Sequence, residues 1–96
     1  MANSISGINP LYFDTAGATS AVANGVWVNS IVWDSGDSGI AGDNVVLHDA
    51  VSGNVVFQAT LAVAKDVIIC SFAKPILFAG LYLTTLDRGV LLVYLA

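Results

Sequence analysis

Short apolar runs separated by turn residues recur along most of this chain. Runs over Val26–Trp33, Asn44–His48, Asn54–Thr60, Val67–Phe72, Ile76–Thr84 and Val90–Leu95 read as strands, and a short further strand fits Leu11–Phe13. Turn signals fall between them at Asp34 to Asn44, Ser52 to Asn54, Ala64 to Asp66, Ala73 to Pro75 and Asp87 to Gly89. Short strands with a turn every ~8–12 residues predict an all-β chain: a small antiparallel β-sandwich, jelly-roll or Greek-key-like, of about six or seven strands. The VSGN segment between His48 and Val55 fits a hairpin loop whose glycine supplies a positive φ, and the DRG segment between Leu86 and Val90 fits a second hairpin.

The alternation within each run says which faces are wet. In Asn54–Thr60, Val55, Phe57 and Ala59 fall on one face and Asn54, Gln58 and Thr60 on the other, with Val56 out of pattern. Val26–Trp33 instead puts Val26, Val28 and Val32 on one face and Trp27, Ile31 and Trp33 on the other, so neither is polar. Val90–Leu95 is apolar throughout and Ile76–Leu83 nearly so. A sandwich of 96 residues cannot hide both faces of three strands. The surplus is expected to be covered by another protein chain, in the first place a copy of itself in a dimer or trimer. The residues singled out for that interface are Trp27, Trp33, Leu81, Leu83, Leu92 and Tyr94, with Leu11, Tyr12 and Phe13 from the N-terminal part.

That N-terminal part, residues 1–24, is rich in small polar residues yet carries Ile5, Ile8, Leu11, Tyr12 and Phe13. It reads as an arm laid across a neighbour, or as an edge strand with a loop, ahead of a sandwich domain over 25–96.

Composition narrows the function classes. The chain has Lys+Arg 3 against Asp+Glu 7, a net charge of −4, and charged residues are 10% of the total. Nucleic-acid binding is not expected, because nothing clusters positive charge against phosphates. Disorder is excluded by a hydrophobic share of 56%. No basic residue precedes Lys65, so no secretory signal is expected; the apolar stretch Val67 to Leu83 is interrupted by Lys74, Pro75 and Gly80 and reads as strands, not as a membrane span.

Little in the sequence points to chemistry. Cys70 is the single cysteine, set in VIICSF as a small buried hydrophobe with no intramolecular disulfide available. His48 is the single histidine, at a strand end beside Asp49. DSGDSGIAGD, Asp34 to Asp43, is the most metal-like stretch, but its acids do not follow the calcium-loop spacing and no glutamate closes it, so a turn is expected and no metal or cofactor. Trp27 and Trp33, six apart in one strand, are expected to share a face in a core or interface; stacking on a sugar ring is the alternative. No nucleophile–base or acid–base arrangement can be assembled, so no enzyme is expected.

The order of segments adds a resemblance. An FDTA opening at Phe13–Ala16, a Trp-bearing strand at Val26–Trp33, a D-x-x-x-G-x-V-V hairpin at Asp49–Val56, a P-x-x-x-x-G-L strand at Pro75–Leu81 and an L-x-x-G-x-L-x-V-Y ending over Leu86–Tyr94 resemble a group of small tailed-bacteriophage proteins encoded among structural genes. The resemblance spans nearly the whole chain. It implies a virion structural protein, a capsid decoration or cement component that binds the assembled shell after assembly in the host cytoplasm. It transfers no catalytic residue. The alternative function is a carbohydrate- or receptor-binding β module of a tail tip or spike.

Overall fold

The computed structural model describes residues 3, 9–17, 22, 25–36, 39–51 and 53–96. Every regular element among them is a strand: β1 Leu11–Phe13, β2 Val26–Asp34, β3 Asn44–His48, β4 Val55–Thr60, β5 Val67–Phe78, β6 Tyr82–Leu86 and β7 Val90–Leu95. They form two antiparallel sheets, one in the order β1-β7-β2-β5 and one in the order β4-β3-β6. A single bridge between Val22 and Leu81 extends the smaller sheet on its β6 side. With that bridge in the place of an eighth strand, first beside last and the chain changing sheets at every step except β3 to β4, the order is that of a jelly roll.

The core lies between the sheets. The larger contributes Leu11, Phe13, Val28, Ile31, Trp33, Leu91 and Val93, the smaller Val45, Leu47, Phe57 and Leu83, with Leu61, Phe78 and Leu81 closing the ends. Phe13, Ile31, Trp33 and Leu83 have no exposed surface.

Three expectations are corrected by register. β2 and β7 slip between Val28 and Ser30, leaving Asn29 as a bulge. One extra residue reverses the side-chain phase, so Trp27 faces outward while Trp33 is buried, and the tryptophans do not share a face. At the same place β5 carries a much larger irregularity: Val28 pairs with Ile76 but Ser30 with Ser71. The stretch Ala73 to Pro75, expected as a turn, therefore lies inside one continuous strand. Pro75 is tolerated because β5 is the edge of its sheet and needs no ladder hydrogen bond on its free side. In β4, Leu47 pairs with Phe57 but His48 with Val55, so Val56, the residue out of pattern, is the bulge. It packs on the core, and Val55 turns outward.

The hairpin at 49–54 joins β3 and β4 as expected, closed by Asp49 N–H donating to Asn54 O at 3.0 Å and Asn54 N–H to Asp49 Oδ1 at 2.9 Å. Gly53 is not among the positive-φ residues; its role is spatial, since a Cβ there would collide with the Asp49 carboxylate. The second expected hairpin is not one. β6 and β7 belong to different sheets, and Asp87-Arg88-Gly89 carries the chain across the sandwich.

The N-terminal residues 11–13 are the edge strand of the two alternatives. Leu11 and Phe13 pair with Val93 and Leu91 and enter the core. The Asn9 side chain extends that ladder, donating to Leu95 O at 3.2 Å and accepting from Leu95 N–H at 2.9 Å. Ile5 and Ile8 lie outside the described residues.

Candidate functional site

The two outward faces of the sandwich are chemically different. On the smaller sheet the register brings Asn44 beside Thr60, Val46 between Gln58 and Thr85, and His48 between Val55 and Tyr82. Most of these are hydrogen-bonding groups, several already engaged: Thr60 Oγ1 donates to Asn44 Oδ1 at 2.6 Å, and Thr84 Oγ1 lies 3.1 Å from His48 Nδ1. That face is an ordinary wet one.

The larger sheet is the reverse. Crossing it in rows, Tyr12, Leu92, Val32 and Ile69 lie side by side, then Tyr94, Ser30 and Ser71 in the next row. Beyond the bulge, Trp27 stands beside Leu77; at the other end Asp34 lies between Val90 and Val67. Asp34 is at the margin, and the exposed Lys74 lies in the irregular stretch of the edge strand β5 between Ser71 and Ile76. Ile69 is 66% exposed, Trp27 55%, Leu77 53% and Tyr94 37%. The molecule's accessible surface, 5123 Å², is what a folded chain of 9.9 kDa exposes (about 5,200 Å² from size scaling), so this face does not reflect loose packing. Contiguous exposed apolar surface of this kind marks an interaction site.

Of the residues singled out from the sequence, Trp27, Tyr94, Leu92 and Tyr12 come together on this face. Leu11, Phe13, Trp33, Leu81 and Leu83 do not: all are buried in the chain's own core, and the interface expectation is withdrawn for them. Trp33 donates its indole N–H to Arg88 O at 2.9 Å, which also removes it as a sugar-stacking platform. Ile69, Val67, Val32, Val90 and Leu77 belong to the face and were not singled out. The signal was present in Val67–Phe72, where both parities carry apolar residues, but cutting β5 at Ala73–Pro75 hid how far the strand runs along the sheet.

The expected chemical candidates resolve into structural roles. Cys70, opposite Ile31, packs against the core. Asp34 Oδ1 accepts from Gly36 N–H at 2.9 Å. Asp43 is buried, accepts from Ile40 N–H at 3.0 Å and pairs with Arg88 at 2.5 Å. The Ile40 hydrogen bond holds the Asp43 carboxyl below the usual carboxylate range; burial opposes it, and the Arg88 hydrogen bond and charge reinforce it. Asp37 lies outside the described residues, and among those described no three His, Cys, Asp or Glu side chains come together as metal ligands. Among the described residues no helix is long and apolar enough to cross a membrane. An open cleft of about 320 Å³ at one end of the sandwich is lined mainly by Val22, Ala50, Val51 and Leu81, with Asp49 and Tyr82 as its polar groups. Asp49 Oδ1 is already engaged by the hairpin.

No protein-family profile matches the chain, and no curated protein does. Among solved structures it is similar to a family 32 carbohydrate-binding module from C. perfringens NanJ in complex with galactose, with 20% identity, 93% of this chain and 69% of that chain covered, and a TM-score of 0.48.

Proposed function

We propose that this protein is a non-catalytic structural component of a bacteriophage virion, a small jelly-roll subunit that binds the assembled shell as a decoration protein. The observation that carries the reading is the contrast between its outward faces: one hydrogen-bonding, the other apolar with charge only at its margins. A surface of that kind is unfavourable in water and favourable in an assembly. The segments that resemble small phage structural proteins occupy framework positions: the end of β1, β2, the β3–β4 hairpin, the end of β5, and the crossing loop with β7. They specify a shape, which suits a building element. The fold by itself does not choose the function.

Gel densitometry of purified particles tests the proposal. A decoration protein is expected in a copy number of the order of the major shell protein's. Absence from particles, or a copy number matching only a tail tip, overturns it. The carbohydrate-binding reading retains Trp27 alone of its two platforms, and Trp27 has Leu77 as its cross-strand neighbour where a sugar site needs hydrogen-bonding side chains.

A further inference from the structure

We infer that the outward face of the larger sheet packs against the same face of a second copy of this chain, forming a face-to-face pair of four-stranded sheets. The inference rests on the reading of that face as an assembly surface and names its partner.

Charge selects the partner. Each chain carries −4, so most docking orientations of two copies bring like charges together. The face in question is where that penalty is smallest, because Tyr12, Leu92, Val32, Ile69, Tyr94, Ser30, Ser71, Trp27 and Leu77 are all uncharged and Asp34 sits at the edge. Beyond Asp34 at one end and the exposed Lys74 on the edge strand β5, it offers no charge by which a differently charged partner or a lipid headgroup would be recognised. A self-complementary face in a two-fold dimer needs no such code.

Size is compatible. Each outward residue of a sheet tiles roughly 33 Å² (about 4.8 Å between strands and 6.8 Å along them), so the dozen positions of this face cover ~400 Å² in projection. Accessible area exceeds projection by roughly half, so two such faces together bury about 1,200 Å², the lower end of stable interfaces. The expected dimer is compact and dissociates in the micromolar range. Two sheets stacked at ~10 Å, as inside the sandwich, would bury Ile69, Leu92 and Val32 and place the hydroxyls of Tyr12 and Tyr94 toward the rim.

Sedimentation of the full chain across ~1–100 µM gives the test. The wild type is expected to move from 9.9 kDa toward twice that mass, and added salt to favour the dimer by screening like charge. Ile69→Lys and, separately, Leu92→Lys should weaken it by about tenfold or more while leaving the β-sheet spectrum unchanged, because a buried ammonium would have no partner. Gln58→Lys, on the wet face, should leave it intact. Each lysine lowers the net negative charge, so dissociation by the first two cannot come from repulsion between the net charges of the two chains; it reports a charge placed in the interface. A dimer that survives both lysines, or a chain that stays at 9.9 kDa, overturns the inference. A monomer whose binding to particles is nonetheless lost in Ile69→Lys puts the shell on this face: it overturns the second copy and supports the virion reading. A dimer never found on particles does the opposite.

Discussion

Trp33 and Arg88 tie the two sheets together where the chain crosses between them. The Trp33 indole N–H from β2 holds the carbonyl of Arg88, the Arg88 guanidinium holds Asp43 ahead of β3, and Asp87 Oδ2 accepts from Asn44 N–H at 2.7 Å. Trp33→Phe keeps most of the apolar volume and orphans the Arg88 carbonyl, which should cost about 1–3 kcal/mol in urea unfolding. Trp33→Ala should cost about 3–5 kcal/mol by opening a cavity. A similar loss for both variants would show that the hydrogen bond, not the packing, dominates. Gly89, at φ +85° and with a Cβ position occupied by Asp34 O, allows the crossing; Gly89→Ala should be destabilising in the same assay. Asp43 makes the clamp pH-sensitive. Its folded pKa is lowered, so its contribution is present above the unfolded carboxylate pKa and is lost as pH falls through the folded value. The melting temperature should therefore fall on acidification through and below the usual carboxylate range, with a shallower slope in Asp43→Asn. Equal slopes would show that other carboxylates carry the acid response.

Strands were legible in this sequence, and their phases only in part. β3, β7 and β1 appear at their expected limits because apolar runs flanked by Asp, Asn and Gly have one interpretation at that length. The bulge in β2 was not legible. A single extra residue at Asn29 flips Trp27 relative to Trp33, and nothing in VWVNSIVW marks it, since every position but Asn29 and Ser30 is apolar. Val56 did signal its bulge by breaking the alternation. Pro75 misled because an edge strand accepts a proline that a central strand would not, and edge status is a property of the sheet. The crossing at Asp87–Gly89 has the residues of a hairpin, but pairing is decided by which sheet each strand joins. These corrections decided the candidate site: five of the nine singled-out residues went to the core. Deletion of Asn29 tests the phase argument. It should force Trp27 inward or Val28 outward and cost several kcal/mol, about the scale of a lost core side chain, read as a large drop in the urea midpoint. A near-neutral deletion would show that the bulge does not set the phase.

At the scale of the molecule, Leu11–Phe13 and Val22 belong to the same sandwich as the strands that follow residue 25. β1 is the outer strand of the larger sheet on the β7 side, pairing Leu11, Tyr12 and Phe13 with Val93, Leu92 and Leu91, and Val22 bridges to Leu81 beside β6. Leu11 and Phe13 are 3% and 0% exposed. A chain starting at residue 25 would lose both from the core, at about 2–5 kcal/mol for the leucine and 3–5 for the phenylalanine by analogy with truncation to alanine. Their sum is comparable with the whole stability of a small domain, ~5–15 kcal/mol. It would also leave the β7 edge unpaired along Leu91–Val93, beside an outward face already apolar, which is an invitation to edge-to-edge association. The fragment 25–96 is therefore expected to be unfolded or aggregated at concentrations where the full chain is soluble, and to regain a β-sheet circular dichroism spectrum when a peptide spanning residues 1–24 is supplied in excess. A fragment that folds alone with the melting temperature of the full chain would make β1 an accessory, and return the N-terminal segment to the role of an arm free to reach a neighbour.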